Sequence, residues 1–126
     1  MTYVVDASVL LAIIEGEPGG DLALQLSRGS DMSWLNIGEV LSKVVDRGGD
    51  PLDAMALLHE LDLKLHDFGE RDAEAVAGML PLTRHVGLSF GDRACLALGK
   101  RLNLVVLTAE RRWLNCGVGI EVRLLR

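Results

Sequence analysis

The fold class of this chain is decided by TYVVDASVLLAII, residues 2–14 of 126. Residues 2–5 are a short run of β-branched and aromatic residues, which is typical of a strand. Asp6 is a good helix N-cap, and the apolar residues after it lie at positions 9, 10, 13 and 14, the spacing of one helix face. A strand that passes directly into a helix predicts a β–α unit at the start of the chain.

The alternation of strand and helix patterns continues to the end of the sequence. Further strands are predicted at residues 31–34, 63–68, 104–107 and 120–124, and helices over 20–27, from 37 to the Gly48-Gly49 pair, from Pro51, from 73 to Pro81, and from Ser89. Strands that alternate with helices predict an α/β domain with a mainly parallel sheet covered on both faces. The length is that of one domain, so residues 1–126 are expected to form a single unit.

The composition excludes several classes of protein. Apolar residues make up 49% and charged residues 25%, which is globular and argues against a disordered chain or a coiled coil. No apolar run approaches the roughly 20 residues of a membrane span, and no basic segment resembling a signal peptide precedes the first one. Two cysteines without a CxxC motif fit a reduced, cytoplasmic protein. The net charge of −5 argues against a general polyanion binder.

Four acidic residues lie at or near predicted helix starts. They are Asp6, Glu39, Asp92 and Glu110. In parallel sheets, ligands bind at the carboxyl ends of the strands, where such helix starts gather. Carboxylates brought together there repel one another unless a cation neutralises them, and hard divalent ions such as Mg²⁺ or Mn²⁺ prefer oxygen ligands. A divalent-metal site is therefore one interpretation of this pattern.

A purely structural interpretation is also open for each acid. Asp6 is explained as an N-cap alone, and Ser89-x-x-Asp92 has the spacing of a capping box. Asn36-x-x-Glu39 has the same spacing, and Glu110 would complement a helix dipole. Position by itself does not choose between a cap and a ligand.

The sequence around each acid resembles that of PIN-domain ribonucleases of the VapC type, the toxins of bacterial toxin–antitoxin pairs. The four similar segments are VVDASVLLA (4–12), NIGEVLSK (36–43), GLSFGDRACLAL (87–98) and VLTAERRW (106–113). Their order and spacing cover almost the whole chain, and the segment around Asp92 is the most specific. In the fourth segment the family usually has Asp after Thr-Ala, where this chain has Glu110.

The resemblance implies a single PIN-like domain over residues 1–126, folded as a three-layer α/β/α sandwich. It implies an endoribonuclease toxin that hydrolyses RNA with Mg²⁺ or Mn²⁺, is neutralised by a cognate VapB-type antitoxin and forms a homodimer. Asp6, Glu39 and Asp92 are implied as catalytic metal ligands, together with Glu110, whose longer side chain departs from the usual Asp.

Further residues are candidates for supporting roles. Ser8 and Thr108 are expected to hydrogen-bond a carboxylate or a metal-bound water, or else to act only as helix-start hydroxyls. Arg84 and Arg93 are candidates for a positive rim that holds phosphate, whereas Lys43 and Arg112 are interpreted as solvated residues.

Two other functions remain open at this point. A receiver-type phosphoacceptor domain has a similar length and an acid after its first strand. A catalytically weak PIN-like module that only binds its antitoxin is the other, and the Glu110 departure favours it.

Overall fold

A computed structural model of the chain describes residues 1–114 and 116–126. In chain order the elements are β1 (Val4–Val5), α1 (Ala7–Ile14), α2 (Gly20–Ser27), β2 (Asp31–Ser33), α3 (Trp34–Asp46), α4 (Pro51–Glu60), β3 (Lys64–His66), α5 (Glu70–Thr83), α6 (Phe90–Leu102), β4 (Val106–Thr108) and β5 (Val122–Leu124). Short 3₁₀ turns cover Arg84–Val86 and Arg111–Trp113.

The sheet has the order β3-β2-β1-β4-β5, and each neighbouring pair is parallel. Val4 and Val5 of β1 are completely buried and belong to different hydrophobic clusters. Since successive side chains of a strand point to opposite faces, each face of the sheet carries its own core. The predicted α/β/α sandwich with a mainly parallel sheet is confirmed, and every strand pair among the described residues is parallel.

Local signals in the sequence set the starts of several helices. Asp6 caps α1 by accepting a hydrogen bond from the Val9 amide. Asp50 caps α4 with Pro51 at the first helical position. Ser89 and Asp92 form the predicted capping box of α6. The predicted caps at Asp6 and at Ser89 with Asp92 are confirmed, and α4 begins at Pro51 as predicted.

Helix α3 begins earlier than the apolar pattern predicts. Ser33 is its N-cap and accepts a hydrogen bond from the Leu35 amide. Asn36 is therefore inside the first turn and is not a cap. The side chain of Asn36 is buried and free to contact another element.

Helix α5 differs from its prediction in two ways. It continues through Pro81 to Thr83. Pro81 removes only the backbone hydrogen bond to the Ala77 carbonyl, and because Ala77 is exposed, water can replace that bond. The sequence pattern places Ala73, Val76, Ala77 and Leu80 on one apolar face, but of these only Val76 is buried. The buried face includes Val76 and Met79.

The carboxyl ends of the central strands lie beside the starts of three helices. Asp6 follows β1 directly, β2 leads straight into α3, and Thr108 ends β4. Asn36 of α3 contacts the backbone of Gly91 at the start of α6. Among the described residues, no helix is long and apolar enough to cross a membrane.

Candidate active site

Asp6 lies at the carboxyl end of the central strand β1 and is the most buried of the four candidate acids. Its side chain is buried, and two hydroxyls hold its carboxylate. Ser8 Oγ donates to Oδ1 at 2.6 Å, and Thr108 Oγ1 donates to Oδ2 at 3.1 Å. The same two hydroxyls accept the amides of Ala109 and Glu110 at 2.9 and 3.0 Å. This network ties the ends of β1 and β4 together around one carboxylate.

The surroundings of Asp6 oppose its ionisation. Burial raises the pKa of Asp6 from 3.8 to about 7, and the negative charge of Asp92 adds to the rise. The hydrogen bonds from Ser8, Thr108 and the Val9 amide lower this pKa but only partly offset the burial. Capping a helix does not require the carboxylate to be buried, so capping alone does not explain the free-energy cost of ionising Asp6. The burial therefore favours a role as a ligand.

Glu39 reaches the same edge from α3. Its carboxylate lies against the backbone of Gly91. A β-carbon at that position would be only 2.8 Å from both carboxylate oxygens. Asn36 Nδ2 donates to Glu39 Oε1 at 3.2 Å and to the Gly91 carbonyl at 3.0 Å. On its other side, Glu39 is 4.0 Å from Lys43 Nζ, one helical turn away. Glu39 is thus fixed at the start of α6.

Asp92 is a helix cap and also a neighbour of the other acids. Its Oδ2 accepts the Ser89 amide at 2.9 Å, and its own amide donates to Ser89 Oγ at 3.1 Å. Arg112 Nη2 lies 3.4 Å from the same Oδ2. Oδ1 of Asp92 accepts no hydrogen bond from the part of the chain that the structure describes. Its capping role therefore leaves one oxygen available to a ligand.

The buried thiol of Cys95 lies within electrostatic range of three of the acids. Burial raises the pKa of its thiol well above the ordinary value, and the negative charges of Asp6, Asp92 and Glu39 raise it further. The three acids predicted from separate segments of sequence are therefore close in space. We call them the acidic cluster.

Glu110 lies at the margin of this cluster. Its side chain is 45% exposed, and its Oε2 is 3.8 Å from Arg112 Nε. The guanidinium of Arg112 thus stands between Glu110 and Asp92.

The predicted basic rim is only partly where it was expected. Arg84 is exposed in a 3₁₀ turn. Arg93 donates to the Val76 carbonyl of α5 at 2.8 Å, and its guanidinium lies 5.6 Å from the ring of Phe90 in its own helix α6. Arg112, interpreted from the sequence as solvated, contacts Asp92 and donates to the Gly87 carbonyl at 3.2 Å. Two cations of the described residues therefore contact the acidic cluster, Arg112 at 3.4 Å from Asp92 and Lys43 at 4.0 Å from Glu39.

The donor chemistry of the cluster fits a hydrated divalent cation. All three side chains offer carboxylate oxygens, the ligands that Mg²⁺ and Mn²⁺ prefer. In residues 1–114 and 116–126, no three acidic, histidine or cysteine side chains stand close enough to grip one bare ion. Mg²⁺ commonly keeps several waters, so carboxylates that do not all meet at one point suit an ion held partly through water.

Three residues of this site escaped the sequence argument. Asn36 was interpreted as part of a capping box and Arg112 as a solvated residue, and Gly91 was given no role of its own. The signal that identifies them is contact with an acid from a distant segment, which a single sequence does not display.

Comparison with known proteins assigns a family to this arrangement. A family model described as the PIN domain matches residues 3–117. This match contradicts the receiver-type alternative. None of the curated proteins matches the chain.

Several solved structures share the fold. A toxin–antitoxin complex from Klebsiella pneumoniae has a TM-score of 0.75 at 17% identity, covering 99% of this chain and 98% of that one. A DNA-bound VapBC from Salmonella typhimurium gives 0.76 at 15%, covering 100% and 99%. VapC20 of Mycobacterium tuberculosis, described as a sarcin-ricin loop cleaving toxin, gives 0.74 at 17%, covering 93% and 97%. At these identities the likeness establishes the fold.

Proposed function

This chain belongs to the PIN-domain family, and on that premise we propose that it is the metal-dependent endoribonuclease toxin of a toxin–antitoxin pair. The observation that carries the proposal is the acidic cluster: the Glu39 carboxylate lies against Gly91, which directly precedes Asp92 in α6, and the charges of Asp6, Asp92 and Glu39 all act on the buried Cys95 thiol. A buried carboxylate whose pKa is raised to about 7 needs a compensating cation to stay ionised at neutral pH.

Asp6, Glu39 and Asp92 would hold the ion, with Glu110 as a supporting ligand reached through water. When bound there, Mg²⁺ or Mn²⁺ supplies a water of lowered pKa and stabilises the negative charge that develops on the attacked phosphodiester. The oxygen donors do not distinguish between the two metals.

The chain's own side chains have separate tasks in this proposal. Ser8 and Thr108 orient the Asp6 carboxylate, because each donates to a different one of its oxygens. Arg112 offers an exposed guanidinium beside Asp92, where it can hold a phosphate of the RNA. Arg84, in the turn that precedes Gly87, is a second candidate for the phosphate backbone. Arg93 supports the packing of α6 on α5 instead.

The proposed partners follow from the similar structures and from the charge of the site. Two of the similar structures are described as a toxin–antitoxin complex and a DNA-bound VapBC, so we propose a VapB-type antitoxin as the cognate partner. A guanidinium from that partner would pair with the carboxylates and exclude the cation. We also propose a homodimer, since exposed apolar side chains such as Leu80, Leu82 and Leu114 leave surface to cover.

Cleavage of RNA by the purified protein tests the proposed activity. We expect cleavage with Mg²⁺ or Mn²⁺, and none with EDTA. Asp92→Asn is the informative variant, because asparagine keeps an oxygen for the Ser89 amide and still caps α6, yet removes a charge from the cluster.

The outcomes separate enzyme from binding module. A folded Asp92→Asn protein without activity supports the metal site. Wild-type cleavage by this variant would leave Asp92 with its capping role alone. Absence of cleavage by the wild type, together with tight antitoxin binding, would favour the catalytically weak module.

A further inference from the structure

Glu39 reaches α6 from another helix, and two residues hold its carboxylate there. Asn36 supplies a hydrogen bond, and Gly91 supplies room. Neither residue carries charge, and neither belongs to the predicted ligand set.

Asn36 is fixed by its partners. Its side chain is 1% exposed, and its Nδ2 donates to both the Glu39 carboxylate and the Gly91 carbonyl. Both partners accept hydrogen bonds only, so the NH₂ group must face them and the amide cannot be reversed. Its Oδ1 is buried and has no donor among the described residues. A buried amide oxygen without a donor costs free energy, so stability alone does not account for asparagine at this position.

Gly91 gives the Glu39 carboxylate its place. A β-carbon at this position would lie 2.8 Å from each carboxylate oxygen and 2.9 Å from the Glu39 Cδ, closer than real β-carbons approach other atoms. The backbone of Gly91 does not have a positive φ, so its conformation does not demand glycine. Glycine within a helix is less favourable than alanine. The space that Gly91 leaves is therefore used by the carboxylate.

We infer that Asn36 and Gly91 are positioning residues that seat the Glu39 carboxylate in the acidic cluster and thereby set its affinity for a divalent cation. The inference rests on the proposed function, since it concerns the same cluster. Asn36 Nδ2 fixes one oxygen of Glu39 to the start of α6, and Gly91 lets the carboxylate lie on the helix backbone. A side chain at position 91 pushes the carboxylate away while leaving its charge unchanged.

Gly91→Ala is the decisive variant, and Gly38→Ala is its matched control. Both glycines lie in helices, but a β-carbon on Gly38 meets nothing within 4 Å. Both substitutions gain the helix propensity of alanine, and only Gly91→Ala displaces Glu39. Calorimetric titration with Mn²⁺, without RNA, measures the affinity directly. We expect at least a tenfold loss for Gly91→Ala, a similar loss for Asn36→Ala, and wild-type affinity for Gly38→Ala.

A second measurement checks that the contact among Asn36, Gly91 and Glu39 changes in the variants. In metal-free protein, the side-chain NH₂ resonances of Asn36 are expected to shift in Gly91→Ala and in Glu39→Gln, but not in Gly38→Ala. Thermal unfolding of each variant confirms that the fold is retained.

Each outcome bears on one hypothesis. If wild type binds Mn²⁺ and cleaves RNA while Gly91→Ala binds Mn²⁺ as tightly as Gly38→Ala, the positioning role of Asn36 and Gly91 is refuted and the proposed function stands. If Gly91→Ala loses affinity but the Asn36 resonances do not move, the loss does not pass through this contact, and the inference is wrong. If wild type neither binds Mn²⁺ nor cleaves RNA, the proposed function is wrong, and so is the positioning role of Asn36 and Gly91.

Discussion

Replacing Asp6 by asparagine should stabilise the metal-free protein at pH 8. The carboxylate is buried, and its pKa is raised from 3.8 to about 7, chiefly by burial. Asparagine has nearly the same shape, carries no charge and remains a good N-cap. The variant therefore removes an ionisation that the folded state opposes.

The sign and size of the effect follow from proton linkage. Between pH 3.8 and 7 the folded protein keeps a proton on Asp6 that the unfolded chain has released, so the free energy of unfolding falls as pH rises. At about 1.36 kcal/mol for each pKa unit, the full cost of ionising Asp6 at pH 8 is about 4 kcal/mol. At pH 5 the same reasoning gives about 2 kcal/mol. The advantage of Asp6→Asn should thus be roughly 2 to 3 kcal/mol larger at pH 8 than at pH 5.

Urea unfolding in EDTA at the two pH values measures this difference. A mismatch between the asparagine NH₂ and the Ser8 or Thr108 hydroxyl costs about 1 kcal/mol, but it is present at both pH values and cancels in the comparison. Asp50→Asn is the matched control, because Asp50 is also an N-cap and is exposed. Saturating Mg²⁺ should reduce the advantage of Asp6→Asn at pH 8, since a bound cation favours the ionised wild type.

An equal effect of Asp6→Asn at pH 5 and pH 8 would refute the reasoning. It would mean that the Asp6 carboxylate is as well solvated in the folded protein as in the unfolded chain, and that its role is confined to capping α1.

Three further predictions test the margin of the site and the assembly. Glu110→Gln should reduce RNA cleavage less than Asp6→Asn does, because Glu110 is half-exposed and lies outside the acidic cluster; equal losses in a cleavage assay would place Glu110 among the direct ligands. Arg112→Ala should raise the KM for RNA about three- to tenfold with little change in kcat, since it removes a phosphate contact while the carboxylates remain; an equal rise in Arg111→Ala would show that the guanidinium beside Asp92 has no special role. Light scattering at micromolar concentration should report twice the chain mass of 13.6 kDa, and the chain mass itself would exclude the dimer.

The sequence by itself determined the order of the elements and the family resemblance. The signals at Asp6, at Asp50-Pro51 and at Ser89 with Asp92 act between residues no more than three positions apart. Strand–helix alternation is equally local, and it restricts the fold to a parallel sheet with helices on both faces. The four acids were therefore predictable as candidates at helix starts.

Tertiary structure alone decided how those acids are held. Thr108 and Asp6 are 102 positions apart, and Asn36 and Gly91 are 55 apart, so no local pattern announces either contact. The raised pKa of Asp6 depends on how completely the packed core excludes water, and on the charge of Asp92. Packing also chose the buried face of α5 and allowed its helix to continue through Pro81. Burial and long-range contact arise only when separate segments meet. For that reason the contacts of Glu39 at the start of α6 and the position of Arg112 were visible only in the folded chain.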